Sequence, residues 1–195
     1  MRGLGANGKR RDLVSHASRK DIRTAFTLVA FICDDAALQP RLPQVVLAPR
    51  GFVLARDAPS IAARMPRNIY VVRRRSAWMD LPMMIHVIRL LVEMLQPMLH
   101  AITPVLIMDA CKVHFAEPVV RIMLIIVLAR MTWLLQPCDT HAFHRVKLEL
   151  RSLILEERAR AVNGSFDAVS FFECMFNAVR RALQGVSWPR AFYGD

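Results

Sequence analysis

The chain has 195 residues, of which 54% are hydrophobic and 22% are charged. This length predicts one domain, and the composition excludes a disordered chain because it supplies a large packed core. The net charge of +11 is concentrated in residues 1–75, which carry 15 Lys/Arg against 5 Asp/Glu, whereas residues 76–195 carry 12 against 11. A basic half joined to a near-neutral half favours a polyanion partner, most commonly nucleic acid. The alternative is a basic tail with no partner.

No membrane segment is expected. The longest apolar run, residues 122–129, lies between Arg121 and Arg130 and is far shorter than a bilayer span, which needs about 20 apolar residues. Residues 1–25 contain many charges and no apolar stretch, so we expect no signal peptide. The four cysteines form no Cys-x-x-Cys pair and indicate reduced thiols in an intracellular protein.

The first half of the chain predicts mainly strands. Residues 1–22 are Gly-rich, basic and without periodicity, which is typical of a disordered arm. Residues 24–33, 43–48 and 68–75 are rich in β-branched residues and predict strands, and residues 51–55 either extend the second strand or form another. Residues 34–40 predict a turn, and residues 61–66 predict one helical turn.

The second half predicts helices around a central strand. Asp80 as N-cap and Pro82 in the first turn open a helix that ends near Pro97, with apolar residues at helical spacing. Residues 104–109 form a wholly apolar run, as expected of a strand buried on both faces. Residues 116–130 predict a helix at their start, while 125–129 remain open between helix and strand. A short strand over 131–135, a helix over 140–161, and a helix from Ser165 as N-cap to Gly185 follow.

This order predicts an α/β fold with a mixed sheet flanked by helices. It fits an RNase H-like core, in which three antiparallel strands precede a helix, a parallel strand, a helix, a strand and a last helix. We expect that core over residues 23–162, with the helix and tail of residues 163–195 packed on it.

Two acids carry the chemical hypothesis. Asp109 ends the central strand, and ligands gather at the carboxyl ends of strands in open α/β sheets. Asp139 lies just before a helix, and residues 110–138 separate the two acids. They have room to converge on one Mg²⁺, which uses few carboxylates. The structural alternative is a strand end and a helix cap, both common features.

The segments around these acids carry a family resemblance. "PVLIMDACKVH", with Asp109 and His114, resembles the second-acid segment of the DDE superfamily endonucleases, the pogo/Tigger/CENP-B-like transposases. "TWLLQPCDTHAF" resembles their third-acid segment, with Gln136, Pro137, Asp139 and Phe143. The weaker matches at residues 23–40 and 76–91 extend the likeness over roughly residues 23–152.

The resemblance implies a domain that binds DNA, holds Mg²⁺ or Mn²⁺ on Asp109 and Asp139, cleaves phosphodiesters or transfers strands, and lies in the nucleus. The family's first acid lies on an earlier strand, which residues 1–22 do not provide. The fold is therefore expected to lack its first strand, and the activity to be lost or impaired. Oligomeric state is left open, and a homo-oligomer is compatible with the sequence.

Several basic residues are candidates for nucleic-acid binding: Arg73, Arg74, Arg75, Lys112, Arg145 and Lys147. The alternative for the three consecutive arginines is a solvated sheet edge. A rival zinc site would use Cys111, His114, Cys138, His141 and His144. The tryptophans at positions 78, 133 and 188 are expected to be core or anchor residues. The alternative function is a non-enzymatic nucleic-acid-binding or scaffold protein.

Overall fold

The computed structural model describes residues 26–109, 111, 123–127, 136–160 and 166–193. Within them the chain is mixed α/β, with five α-helices, a three-stranded sheet and a separate two-stranded sheet. The predicted basic arm over residues 1–22 and the strand over 131–135 lie outside the described residues.

The first sheet has the order β1-β2-β3, from β1 (Thr27–Val29), β2 (Gln44–Pro49) and β3 (Ile69–Arg74). β1 pairs antiparallel with β2, but β2 pairs parallel with β3. The expectation of three antiparallel strands is therefore wrong. A parallel pair needs a crossover of a dozen or more residues, and residues 50–68 supply it through helix α1 (Ala58–Arg64).

The apolar segment 51–55 is a turn and not a strand. The amides of Phe52 and Val53 both donate to the Pro49 carbonyl at 3.0 Å, which reverses the chain after β2. Val53 nevertheless enters the core, with 1% of its side chain exposed. An apolar run can thus be buried without sheet pairing, and periodicity does not distinguish the two cases.

The second sheet pairs β4 (Val105–Asp109) in parallel with β5 (Met123–Val127), and Asp109 lies opposite Val127. The sequence left residues 125–129 open between helix and strand. As far as they are described, they belong to the strand Met123–Val127. Burial of β4 on both faces was predicted wrongly, because only Met108 is buried and Val105 is 48% exposed. Two separate sheets also replace the single mixed sheet that was expected.

Helix α2 (Leu81–Leu95) begins where the sequence predicts. The carboxylate of Asp80 accepts a hydrogen bond from the Met83 amide at 3.0 Å, which satisfies one of the free donors of the first turn. Among the described residues, Leu81–Met98 is the one segment whose length and mean hydropathy of 1.2 would suit a membrane span. Core helices meet the same test, and here Val87 and Leu91 pack against β2.

The C-terminal half adds three helices. A wide π-helical turn, Cys138–Ala142, leads into α3 (Phe143–Arg160). Helix α4 (Ala168–Val179) is capped by Asp167, which accepts from the Ser170 amide at 2.8 Å, and a second wide turn continues it to Gly185, the predicted end. The predicted cap Ser165 lies outside the described residues. Helix α5 (Pro189–Tyr193) ends the described chain.

Strand β2 is the centre of the core because both of its faces are buried. Val46 and Ala48 pack with α1, α3 and α4 in the larger cluster, in which Phe172 is fully buried. Val45 and Leu47 pack with α2 in the smaller cluster. Helices therefore cover both faces of the first sheet, the arrangement typical of α/β proteins.

Candidate functional site

Asp109 is the last residue of β4 and is half-buried. Its position at the carboxyl end of a strand is the one predicted from the apolar run that precedes it. The parallel partner β5 ends at the same level, at Val127. The carboxyl ends of both strands of the second sheet thus lie together beside this acid.

Asp139 is exposed and belongs to the first turn of the segment Cys138–Ala142, so it lies inside the helical turn and not just before it. The carbonyl of Gln136 organises this turn. It accepts the amide of Asp139 at 3.0 Å, the amide of Thr140 at 3.1 Å, and the Thr140 hydroxyl at 3.1 Å. Pro137 is buried at the start of the turn. Gln136 and Pro137 therefore position the acid.

A cavity of about 300 Å³ brings the two acids together. Consecutive residues line two of its sides, 27–32 from β1 and its extension and 105–109 from β4. Because neighbouring residues of a strand point to opposite faces, a cavity that touches all of them borders the edges of the two strands. Gln136, Pro137, Cys138 and Asp139 close one end.

The two carboxylates interact electrostatically. Desolvation raises the pKa of Asp139 above its ordinary value, the negative charge of Asp109 raises it further, and Lys147 opposes both effects. Like charges that face one cavity disfavour each other's ionisation. The effect of Asp109 on Asp139 means that the chain folds so that the two acids lie within electrostatic reach, although the whole segment 110–138 separates them in sequence.

The donor set suits one hard divalent cation. Mg²⁺ is commonly held by one or two carboxylates, with water completing its octahedron, and a cation between Asp109 and Asp139 would remove their repulsion. Among the described residues, no group of three or more His, Cys, Asp or Glu side chains could hold a metal. Two carboxylates fit a single ion better than the pair of ions used in phosphodiester transfer.

Cys138, a ligand of the rival zinc site predicted from the sequence, lies in a largely apolar environment in the metal-free chain. Its sulfur lies 3.6 Å from the Ala30 carbonyl, and desolvation raises the pKa of the thiol to about 12, with a further contribution from Asp139. Zinc binds the thiolate, which this environment disfavours. Cys111 is exposed, and His114 lies outside the described residues.

The predicted basic residues that the structure describes lie in two places. Arg73, Arg74 and Arg75 lie at the end of β3, the edge strand farthest from β1, and do not line the cavity. Arg73 Nε donates to the Val53 carbonyl at 2.5 Å, and Arg74 pairs with Asp80. On α3, Arg145 lies over the Trp188 ring at 5.6 Å, and Lys147 acts on Asp139. Lys112 lies outside the described residues.

Sequence reasoning missed part of the cavity wall. Met84 from α2, Phe143 from α3 and Phe192 from α5 line it together with the strand edges. Phe192 belongs to the tail that the sequence predicts to pack on the core, but no motif in the sequence indicates which surface receives it. The lining is mostly apolar and includes two carboxylates, and small-molecule sites are likewise lined mainly by apolar side chains with a few polar groups.

Comparison of the chain with family models, with curated proteins and with solved structures finds no match.

Proposed function

We propose that this chain is a transposase-derived domain of the DDE endonuclease superfamily, of the pogo/Tigger/CENP-B-like branch, that binds DNA and has an RNase H-like ancestry. The observation that carries the proposal is the convergence of Asp109 and Asp139 on one cavity. These are the acids singled out by the two segments with the strongest resemblance. A nuclear location and a homo-oligomeric state are compatible parts of this proposal.

The site supports metal binding more strongly than cleavage. When bound, Mg²⁺ or Mn²⁺ would supply electrostatic stabilisation to a phosphate oxygen. Asp109 and Asp139 would hold the ion, Gln136 would keep the Asp139 turn in place, and the apolar strand edges would limit access of water. Among the described residues, Asp109 and Asp139 are the acids that line the cavity, and the sequence of residues 1–22 does not provide the strand that carries the family's first acid. We therefore propose that cleavage and strand transfer are ancestral activities that are lost or impaired here.

Metal binding is testable by thermal unfolding of the full chain during titration with Mg²⁺ or Mn²⁺. Metal at about ten times its Kd adds roughly 1.4 kcal/mol of stability, which raises the Tm of a chain of this size by about 3–6 °C. Asp109→Asn and Asp139→Asn are each expected to abolish the increase. Glu93→Gln, which removes an exposed acid of α2 outside the cavity, should retain it. A full metal-dependent increase in either Asn variant would contradict the proposal.

The second candidate is a non-enzymatic protein that binds nucleic acid or serves as a scaffold. It is favoured by the position of Asp139 in the first turn of a helical segment, where a carboxylate stabilises the helix N-terminus without any metal. In that case Asp109 and Asp139 are structural, and nucleic-acid affinity is the same with and without Mg²⁺. An affinity that Mg²⁺ raises in the unmodified chain, but not in Asp109→Asn, would favour the metal-binding domain.

A further inference from the structure

A second polar surface lies at the carboxyl ends of the parallel strands β2 and β3, away from the acid pair. Pro49 pairs with Arg74 in the register of these strands. The next residues, Arg50 and Arg75, are therefore neighbours, and the Arg50 amide donates to the Arg74 carbonyl at 2.6 Å. Both arginines are exposed. Adjacent strands lie about 4.8 Å apart, so the backbones of two exposed arginines lie side by side.

Trp78 follows this pair of arginines, and 80% of its side chain is exposed. The expectation that it is a core or anchor residue is wrong, whereas Trp188 is buried, with 3% exposed, and donates to the Leu183 carbonyl at 3.1 Å. Indoles are usually buried to a large extent because their apolar area is large. An indole exposed to this extent, three residues after Arg75, is available to a ligand.

The loop that carries Trp78 is held in place by hydrogen bonds. The Trp78 amide donates to Ser76 Oγ at 3.1 Å, and Arg74 Nη1 donates to the Trp78 carbonyl at 3.2 Å. Arg74 also pairs with Asp80, the N-cap of α2. Arg74 therefore acts as a structural residue that fixes the loop, and it neutralises the nearest acid. The exposed indole projects from a backbone with little freedom, which lowers the entropic cost of binding.

We propose that Arg50, Arg75 and Trp78, here named the arginine–tryptophan edge, bind single-stranded nucleic acid. The indole stacks on an unpaired base, and the two guanidinium groups contact the neighbouring phosphates. The base faces of a duplex are covered by stacking and are available to an aromatic side chain only in single strands. The inference rests on the nucleic-acid-binding part of the proposed function, but it requires neither the metal nor the acid pair.

Fluorescence anisotropy of a labelled oligothymidylate of about 12 nucleotides, within the usual range of site sizes, tests the edge. Trp78→Ala is expected to weaken binding of this single strand by about 5- to 150-fold and to leave binding of a duplex of equal length unchanged. Trp78→Phe, which keeps an aromatic ring, should restore most of the affinity. Arg50→Gln and Arg75→Gln should each reduce the salt dependence of binding by about one phosphate contact, or about 0.7 in the logarithmic slope.

The controls separate this inference from the function on which it depends. Leu155→Ala removes another exposed apolar side chain, 68% exposed on α3, and is expected to bind like the unmodified chain. Unchanged single-strand affinity in Trp78→Ala, or an equal loss for the duplex, overturns the arginine–tryptophan edge while nucleic-acid binding itself stands. If the unmodified chain binds neither strand form, both proposals fall. Thermal unfolding of each variant shows whether it is folded.

Discussion

Two buried glutamines, Gln39 and Gln44, take over the backbone hydrogen bonds where β1 ends. Gln44 Oε1 accepts from the Phe31 amide at 3.0 Å, and Gln44 Nε2 donates to the Phe31 carbonyl at 2.8 Å. Gln39 Oε1 accepts from the Cys33 amide at 2.7 Å. Both side chains are 0% exposed. A buried backbone amide without a hydrogen-bond partner costs free energy. Because the two glutamines supply these partners, the chain after β1 can leave the sheet at the edge of the cavity without that cost.

Gln44→Leu tests this role because leucine is similar in size but cannot form hydrogen bonds. The Phe31 amide loses its partner, and its carbonyl keeps only Gln39 Nε2 at 3.2 Å. Each buried group left unpaired costs about 1–3 kcal/mol, so the free energy of unfolding in urea should fall by about that amount. Gln96→Leu, at an exposed position after α2, is the control. Equal stability of the two variants would contradict the role of Gln44.

The raised pKa of Asp139 predicts a pH-dependent stability. An acid whose pKa is higher in the folded state favours folding when protonated, and this contribution is lost as pH rises above the ordinary value of 3.8 and through the folded-state pKa. Asp139→Asn should therefore become more stable relative to the unmodified chain as pH rises from about 4 to 7. Because the carboxylate is exposed, the gain should stay below about 1 kcal/mol.

Urea unfolding of both proteins across that pH range measures this difference. Lys147 lowers the pKa of Asp139. In a Lys147→Gln background and metal-free buffer, Asp139→Asn should therefore gain more stability as the pH rises. Asp109→Asn should reduce this gain, because the neighbouring negative charge is removed. A stability difference that does not change with pH would contradict the raised pKa of Asp139, and an unchanged pH dependence in Asp109→Asn would show that the two carboxylates do not interact.

At the scale of elements, the sequence predicts best where a local signal is strong. Asp80, Pro82 and the apolar spacing that follows locate the start of α2 correctly. β2 and β3 also lie where β-branched residues are dense, and Asp109 closes β4 as expected. In these cases the determining property is local: either a capping bond within the first helical turn or the density of β-branched and apolar residues along one strand.

The sequence fails where an element depends on distant parts of the chain. The direction of β3 depends on a crossover through α1, which is only seven residues long and has no side-chain cap. The exposure of β4 depends on the sheet having two strands, a tertiary property. For the site, local sequence identifies Asp109, Gln136, Pro137 and Asp139, but the apolar lining from α2 and α5 arises from packing that no spacing rule reports.

At the scale of the whole molecule, the charge predicts a salt-dependent affinity. The net charge of +11 is concentrated in the segment 1–75, and release of condensed counterions makes the logarithm of affinity fall linearly with the logarithm of salt concentration. For duplex DNA, the slope of log affinity against log salt concentration should be steeper than about −2.5 if the chain contacts three or more phosphates. An uncharged peptide nucleic acid of the same sequence is the control. Affinity that stays flat from about 50 to 200 mM salt would remove both nucleic-acid functions.

The two sheets turn their strand edges toward each other across the cavity, and this has a consequence for behaviour in concentrated solution. A free edge offers a row of unpaired amides and carbonyls on which a foreign strand can grow, and many proteins blunt such edges to avoid aggregation. Here the edges of β1 and β4 line two sides of one cavity, and Phe192 lines it as well. Any change that moved the two sheets apart would expose both strand edges at once, so the packing around the cavity limits aggregation as well as housing the acids.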